Sequence, residues 1–234
     1  MNLIKAQRDQ LFEYGPFTVR RQRPGEALGP LAIVDQMTLK TGATIPLQQH
    51  QDDEIFSYVW RGSVRHEQEN GAEIMLNSKR MLVVSAGDGV RYAESAPLIE
   101  TALLQAYIRP QHSGGAAAVH SWHRAEGVAP DHWTLLAGPQ ASAAPLTLRQ
   151  QVCIYDVKLT RGAQLSVPHL PGYASWLTVL EGVVRSGELR AQAGDALCDS
   201  AALPPVSGER DATLVLFLVR QDAPAVMSGT VSGS

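Results

Sequence analysis

Short apolar and β-branched runs, broken by Pro, Gly, Asn or Asp clusters, follow one another along most of the chain. In the first half they cover residues 17–20, 31–34, 55–60, 63–66, 73–76, 81–84 and 99–108. Strands separated by turn residues at such short intervals predict an antiparallel sandwich or barrel. Helical signal is scarce: residues 3–12 have room for one or two turns, and no later segment sustains a 3.6-residue apolar period. Asn70-Gly71, between two of the runs, predicts a hairpin with a type I′ turn, because both residues tolerate positive φ.

A second series of runs, at 146–148, 152–157, 164–167, 176–180, 183–185, 188–190, 196–198 and 214–219, repeats the rhythm of the first. Tyr58-Val-Trp-Arg-Gly62, followed by Asn70-Gly71, corresponds to Thr178-Val-Leu-Glu-Gly182, followed by Ser186-Gly187. Duplication of one barrel accounts for both. Between the halves, small and turn-forming residues dominate and predict a connector, pinned at Trp122 and Trp133. Residues 223–234 are rich in Ser, Gly and Pro and read as a loose tail. The expected division is therefore a first barrel at 14–110, a connector at 111–145, a second, structural barrel at 146–220 and a tail at 221–234.

Charge and composition narrow the function classes. A hydrophobic content of 44% supports a substantial core. The net charge of −3 is spread over interleaved acids and bases, which offers no basic stripe to a phosphate backbone and disfavours direct nucleic-acid binding. No apolar run is long enough for a membrane helix, and the first ten residues lack the apolar core of a signal peptide. Only Cys153 and Cys198 are present, so no disulfide framework is expected and the cytoplasm is the expected compartment.

Candidate chemistry concentrates in residues 42–62 and 85–94, both read as strands ending in glycine turns. They carry His50, Asp52, Glu54, Tyr92 and Glu94 on otherwise apolar segments, and two such strands facing each other would bring these groups to one point. The Asp52-Asp53-Glu54 run reads as a solvated turn face. His66 is expected to be exposed on a hairpin strand. His120-X-X-His123 reads as surface, and His169 has no second ligand beside it.

Gly42, five further residues, Gln48-X-His50 and then Glu54 resemble the first cupin motif, whose leading position is normally a second histidine. The fuller strings Gln48-Gln-His-Gln-Asp-Asp-Glu-Ile-Phe-Ser-Tyr-Val-Trp-Arg-Gly62 and Ser85-Ala-Gly-Asp-Gly-Val-Arg-Tyr-Ala-Glu94 resemble the pirin family. Supporting matches run from about residue 14 to 220. The resemblance implies an all-β bicupin: two tandem jelly-roll cupin barrels face to face, with a metal site in the first only.

It also implies four ligands to a non-haem iron, two histidines from the first motif and a histidine and a glutamate from the second. Carried over, these positions are Gln48, His50, Tyr92 and Glu94, so two of the four donors are retained. An amide oxygen and a neutral phenol are poor replacements for imidazole. Tyrosine ligates ferric iron only as a phenolate, whose pKa near 10 must first be lowered. Iron or another divalent transition metal is thus expected to be held weakly or not at all. Gln48 and Tyr92 hydrogen-bonded to each other would be an organic substitute for the ion. Glu94 is left to bind metal, act as a base, or pair with His50 or Arg91.

Three functions follow from the resemblance. The first is binding of a small molecule or partner in a cavity lined by Tyr58, Trp60, Met81 and Tyr92, with Gln48, His50 and Glu94 as its polar groups. In that picture the second barrel is filled by Trp176, Leu177 and Val179. The second function is a quercetinase-type flavonol dioxygenase with Glu94 as the catalytic base. The third, transcriptional co-regulation through protein contacts, rests on fold analogy alone.

Overall fold

The computed structural model describes residues 1–7, 10–25 and 28–231. Among them, eighteen strands form two nine-stranded sheets. The first sheet contains β2 (Leu11–Glu13), β3 (Phe17–Gln22), β4 (Leu31–Leu39), β5 (Thr44–Arg61) and β6 (Ser63–Gln68). It also contains β7 (Glu73–Asn77), β8 (Arg80–Ser95), β9 (Thr101–Ile108) and β10 (Ala118–His123). The second holds β11 (Thr134–Pro139), β12 (Leu146–Leu148), β13 (Val152–Leu159), β14 (Gln164–Leu165), β15 (Tyr173–Ser186), β16 (Leu189–Gln192), β17 (Ala196–Asp199) and β18 (Val206–Arg220). Its ninth strand is β1 (Asn2–Ile4), which pairs with β17 from the far end of the chain.

Each sheet curls around its own apolar interior. Ile55, Val59, Leu82, Val84 and Leu103 fill the first, and Leu177, Val179, Leu214, Leu216 and Leu218 the second. The alternate residues of the same strands meet across a third core between the barrels: Phe56, Tyr58, Met81 and Val83 against Trp176, Val215, Phe217 and Val219. Strands buried on both faces explain why 81–84 and 214–219 are continuous apolar runs instead of alternating ones, and why 55–60 is apolar apart from Ser57. Trp176, expected inside the second barrel, therefore lies in the interface, where its indole N–H donates to Thr178 Oγ1 at 3.0 Å. Tyr58 and Met81 also face the interface, and Tyr92 faces the first barrel's interior. The cavity expected among them does not exist as one space, because they lie on opposite sides of the sheet.

Polar contacts pin the barrels together. The buried Asp156 carboxylate accepts from Arg124 Nη2 at 2.8 and 2.9 Å and from the Tyr58 hydroxyl at 3.0 Å. Glu54 accepts the Arg149 and Gln150 amides at 2.7 and 2.9 Å. The connector is shared between the sheets: β10 pairs with β8 and β11 with β13.

The duplication shows in Gly62 and Gly182, both at φ +83°. A Cβ at either would collide with the neighbouring strand, at Glu100 and Thr101 in one case and at Asp211 and Ala212 in the other. Two sequence expectations change. Residues 2–4 and 11–13 are strands, not helix, and residues 8 and 9 lie outside the described residues. The Asn70-Gly71 hairpin has positive φ only at Gly71, whose N–H donates to Gln68 O at 2.8 Å. That is a type I turn closed by a glycine in αL, not a type I′ turn.

Candidate functional site

β5 and β8 run antiparallel with Gln48 opposite Tyr92, His50 opposite Val90 and Ile45 opposite Glu94. The expected pairing of the two motifs is therefore present. His50, Tyr92 and Glu94 are 5%, 3% and 4% exposed, whereas the Gln48 side chain is exposed. Register shifts flank Gln48 and His50 on β5. The second ends at Asp52, a non-glycine residue at φ +63°, held by the Gly114 N–H at 2.6 Å and the Ser228 hydroxyl at 2.8 Å.

In the sheet, β8 lies between β5 and β6, so Tyr92 has His50 on one side and His66 on the other. The His50 and Tyr92 rings stack at 5.1 Å, and the His66 and Tyr92 rings meet at 4.4 Å. The phenol fills the space between the two imidazoles, and all four imidazole nitrogens are buried without a hydrogen-bond partner among the described residues. Gln105 Nε2 donates to both Glu94 oxygens at 3.0 and 2.8 Å and approaches Ser57 Oγ at 3.2 Å. The Tyr107 hydroxyl in turn donates to Gln105 Oε1 at 3.2 Å. His66 Nδ1 stands 3.8 Å from Glu94 Oε1.

His66 was expected on the surface; it is fully buried. The strand alternation carried that signal, since Val64 and His66 share one face of β6 and both are 0% exposed. Gln105, a lone amide inside the apolar run 102–108, was the other legible clue. Glu94 does not pair with Arg91, which is exposed and bonded to Glu69 at 2.7 Å. No hydrogen bond joins Gln48 to Tyr92 among the described residues, so the expected organic substitute is a packed ring and not a polar bridge. Asp52, Asp53 and Glu54, read as a solvated face, are at most 5% exposed. His120 and His123 are exposed, as expected, and so is His169.

Electrostatics oppose a tyrosinate ligand. Burial, reinforced by the Glu94 charge, raises the Tyr92 pKa well above that of an ordinary phenol. Burial lowers the His50 pKa, only partly offset by Glu94. A phenolate is therefore less accessible here than in water, and the exposed amide at position 48 points no strong donor inward. Among the described residues, no three His, Cys, Asp or Glu side chains converge closely enough to hold an ion. The four-ligand set implied by the resemblance does not fit these residues as they are arranged.

The segment expected to be a loose tail is docked on the first barrel. Val226 N–H donates to Pro110 O at 2.9 Å, and Gln150 Nε2 holds Pro224 O at 3.0 Å. Thr230 and Gln51 exchange two bonds, Thr230 Oγ1 accepting the Gln51 N–H at 2.7 Å and Gln51 O accepting the Thr230 N–H at 3.1 Å. Val231 packs against the first barrel's interior core and donates its N–H to Asp53 Oδ2 at 3.0 Å. A Cβ on Gly229 would collide with Asp53, so glycine is required for this approach. Residues 232–234 lie outside the described residues.

Burial pushes the Asp53 carboxyl up to about 6, partly offset by the Val231 amide. An acid whose pKa rises on folding stabilises the fold when protonated. That contribution is complete below about pH 4 and is lost as pH rises through 6, by up to roughly 3 kcal/mol. Asp53→Asn keeps an acceptor for Val231 and removes the charge. The variant is expected to melt higher than the parent at pH 8 and to differ little at pH 4; equal melting curves at pH 8 would mean that the carboxylate is hydrated.

Residues 5–108 match the Pirin family model, and residues 135–218 match the model described as the quercetinase C-terminal cupin domain. A protein of Caulobacter vibrioides named pirin-like is 29% identical over 185 residues, covering 78% of this chain and 79% of its own length. The quercetin 2,3-dioxygenase of Escherichia coli K12 is 24% identical over 191 residues, covering 80% of this chain and 81% of its own. The crystal structure of the Escherichia coli pirin YhhW in complex with nickel(II) superposes with a TM-score of 0.82 at 22% identity, covering 96% of this chain and 99% of that one. With both halves matched and the two-sheet architecture shared, the chain belongs to the pirin family of bicupins.

Proposed function

We propose that this chain is a pirin-family bicupin that has given up metal-dependent chemistry in its first barrel and works by binding a small molecule or a protein partner. The observation that carries this reading is the Tyr92 ring packed between His50 and His66. In this reading Glu94 is a buried acceptor for Gln105, not a base. The charge balance supports no direct nucleic-acid partner. Cys153 and Cys198, both free thiols, suit the cytoplasm as its compartment.

A second reading, a flavonol dioxygenase, is favoured by the names of several relatives and by the retention of His50 and Glu94. There Glu94 would accept the proton of the flavonol hydroxyl. Tyr92 and the closed chamber count against it. Elemental analysis of the purified protein, with quercetin absorbance followed in air, separates the two. Well under one transition metal per chain and no loss of quercetin are expected. Stoichiometric iron or nickel together with turnover would establish the dioxygenase instead.

A further inference from the structure

At one end of the interface the face of the first sheet that meets the second barrel turns from apolar to polar. Arg20 on β3 and Gln36 on β4 are direct cross-strand partners there, so their side chains lie side by side. They form one wall of a cavity of about 470 Å³ between the barrels. Trp60 and Arg61, at the end of β5, and Leu180 and Glu181, their duplicated counterparts, also line it. The cavity thus sits where the two equivalent turns of the duplication face each other.

We infer that this cavity is a binding site for small aromatic carboxylates. Its volume falls in the range of small-ligand sites. Among the described residues, no hydrogen bond or ion pair engages the Arg20 guanidinium, and its Nε is buried without a partner. Gln36 Nε2 is buried and unpartnered in the same way. Two adjacent free donor groups, one of them a planar cationic fork, match the two oxygens of a carboxylate.

Gly194, at φ +91°, makes room for the guanidinium from the second barrel: a Cβ there would lie 2.5 Å from Arg20 Nη1. Arg20 is therefore placed by both barrels. Trp60 and Leu180 offer an aromatic and an aliphatic surface to a flat ligand body. Arg61 is turned toward Glu100 at 3.5 Å. Glu181, bonded by Thr213 Oγ1 at 3.3 Å, sets a negative charge in the opposite wall. One free cation facing one anion selects a monoanion and repels a dianion.

The site is separate from the first-barrel centre and stands whether or not that centre takes metal. The test is calorimetric titration of the full chain with benzoate and cinnamate, and with benzamide as the neutral isostere, with and without a chelator. Both carboxylates are expected to bind at least about tenfold tighter than benzamide. Arg20→Gln should weaken them by about 10- to 100-fold and leave benzamide unchanged. Gln36→Leu, which keeps the cation, should weaken them less. Phthalate, a dianion, should bind more weakly than benzoate. Equal binding by the parent and Arg20→Gln, with both chains folded, would overturn the site. So would no heat at about 10 mM benzoate, a benzamide affinity equal to that of benzoate, or binding lost on chelation, which would move the ligand to the first barrel.

Discussion

Gln48→His combined with Tyr92→His is expected to raise affinity for nickel or ferrous iron at least about 100-fold over the parent chain. The two changes restore imidazoles at the positions facing each other across β5 and β8, next to the retained His50 and Glu94. Loss of a single supporting partner costs metal sites about 10- to 100-fold, so regaining two direct donors is worth at least the upper figure. The Tyr92 substitution also removes the ring that fills the space between His50 and His66. The metal-free variant should therefore melt lower than the parent and recover on adding nickel, because binding to the folded state alone stabilises by mass action.

Tyr92→Phe is the control: it keeps the packing, removes the hydroxyl and should leave metal affinity at the parent's low level. Nickel titration by calorimetry, with melting curves in parallel, reads all three chains. If the double variant gains nothing, positions 48 and 92 do not address one point. The exposed side chain at position 48 is where that weakness would lie.

The largest stability effect is expected from Arg124→Leu. Asp156 is 0% exposed and is held by Arg124 and Tyr58, one from the connector and one from the first barrel. Burial already raises its pKa despite the guanidinium beside it. Removing one partner of a buried pair strands the other charge and costs roughly 3–5 kcal/mol. For a chain of this size that lowers Tm on the order of 10 °C. Arg124→Leu with Asp156→Leu should recover much of the loss, since an apolar replacement of both ions strands no charge. A loss below about 1 kcal/mol for the single change would mean that water reaches Asp156 and that the interface is looser than described.

Much of this architecture was legible because strand formation is a local matter. Turn glycines and β-branched runs delimit the strands, and Gly62 and Gly182 announce the duplication because each must pass a neighbouring strand with no Cβ. The pairing of the two motifs was legible too. His66 was readable from its parity with Val64, yet a polar residue on a hairpin strand suggests solvent until the third strand beside it is known.

Face assignment was a different problem. In strands apolar on both sides, alternation no longer says which side is which, so the sequence does not separate Tyr58 and Met81 from Tyr92, although the sheet lies between them. The docked tail was invisible for another reason. It is held chiefly by backbone amides and carbonyls meeting Gln51, Asp53, Pro110 and Gln150, and a Ser/Gly/Pro-rich composition does not register such bonds.

By itself, the order of residues determined the strands and the duplication, and it set Gln48 and Tyr92 at the positions where the family resemblance implies imidazoles, since these depend on residue type and spacing. Only the folded chain decided that the Tyr92 phenol packs between His50 and His66, and that Arg20 and Gln36 stand side by side at the barrel interface. Those facts depend on which strands become neighbours and how far water is excluded between them, and neither is encoded in any short stretch of sequence.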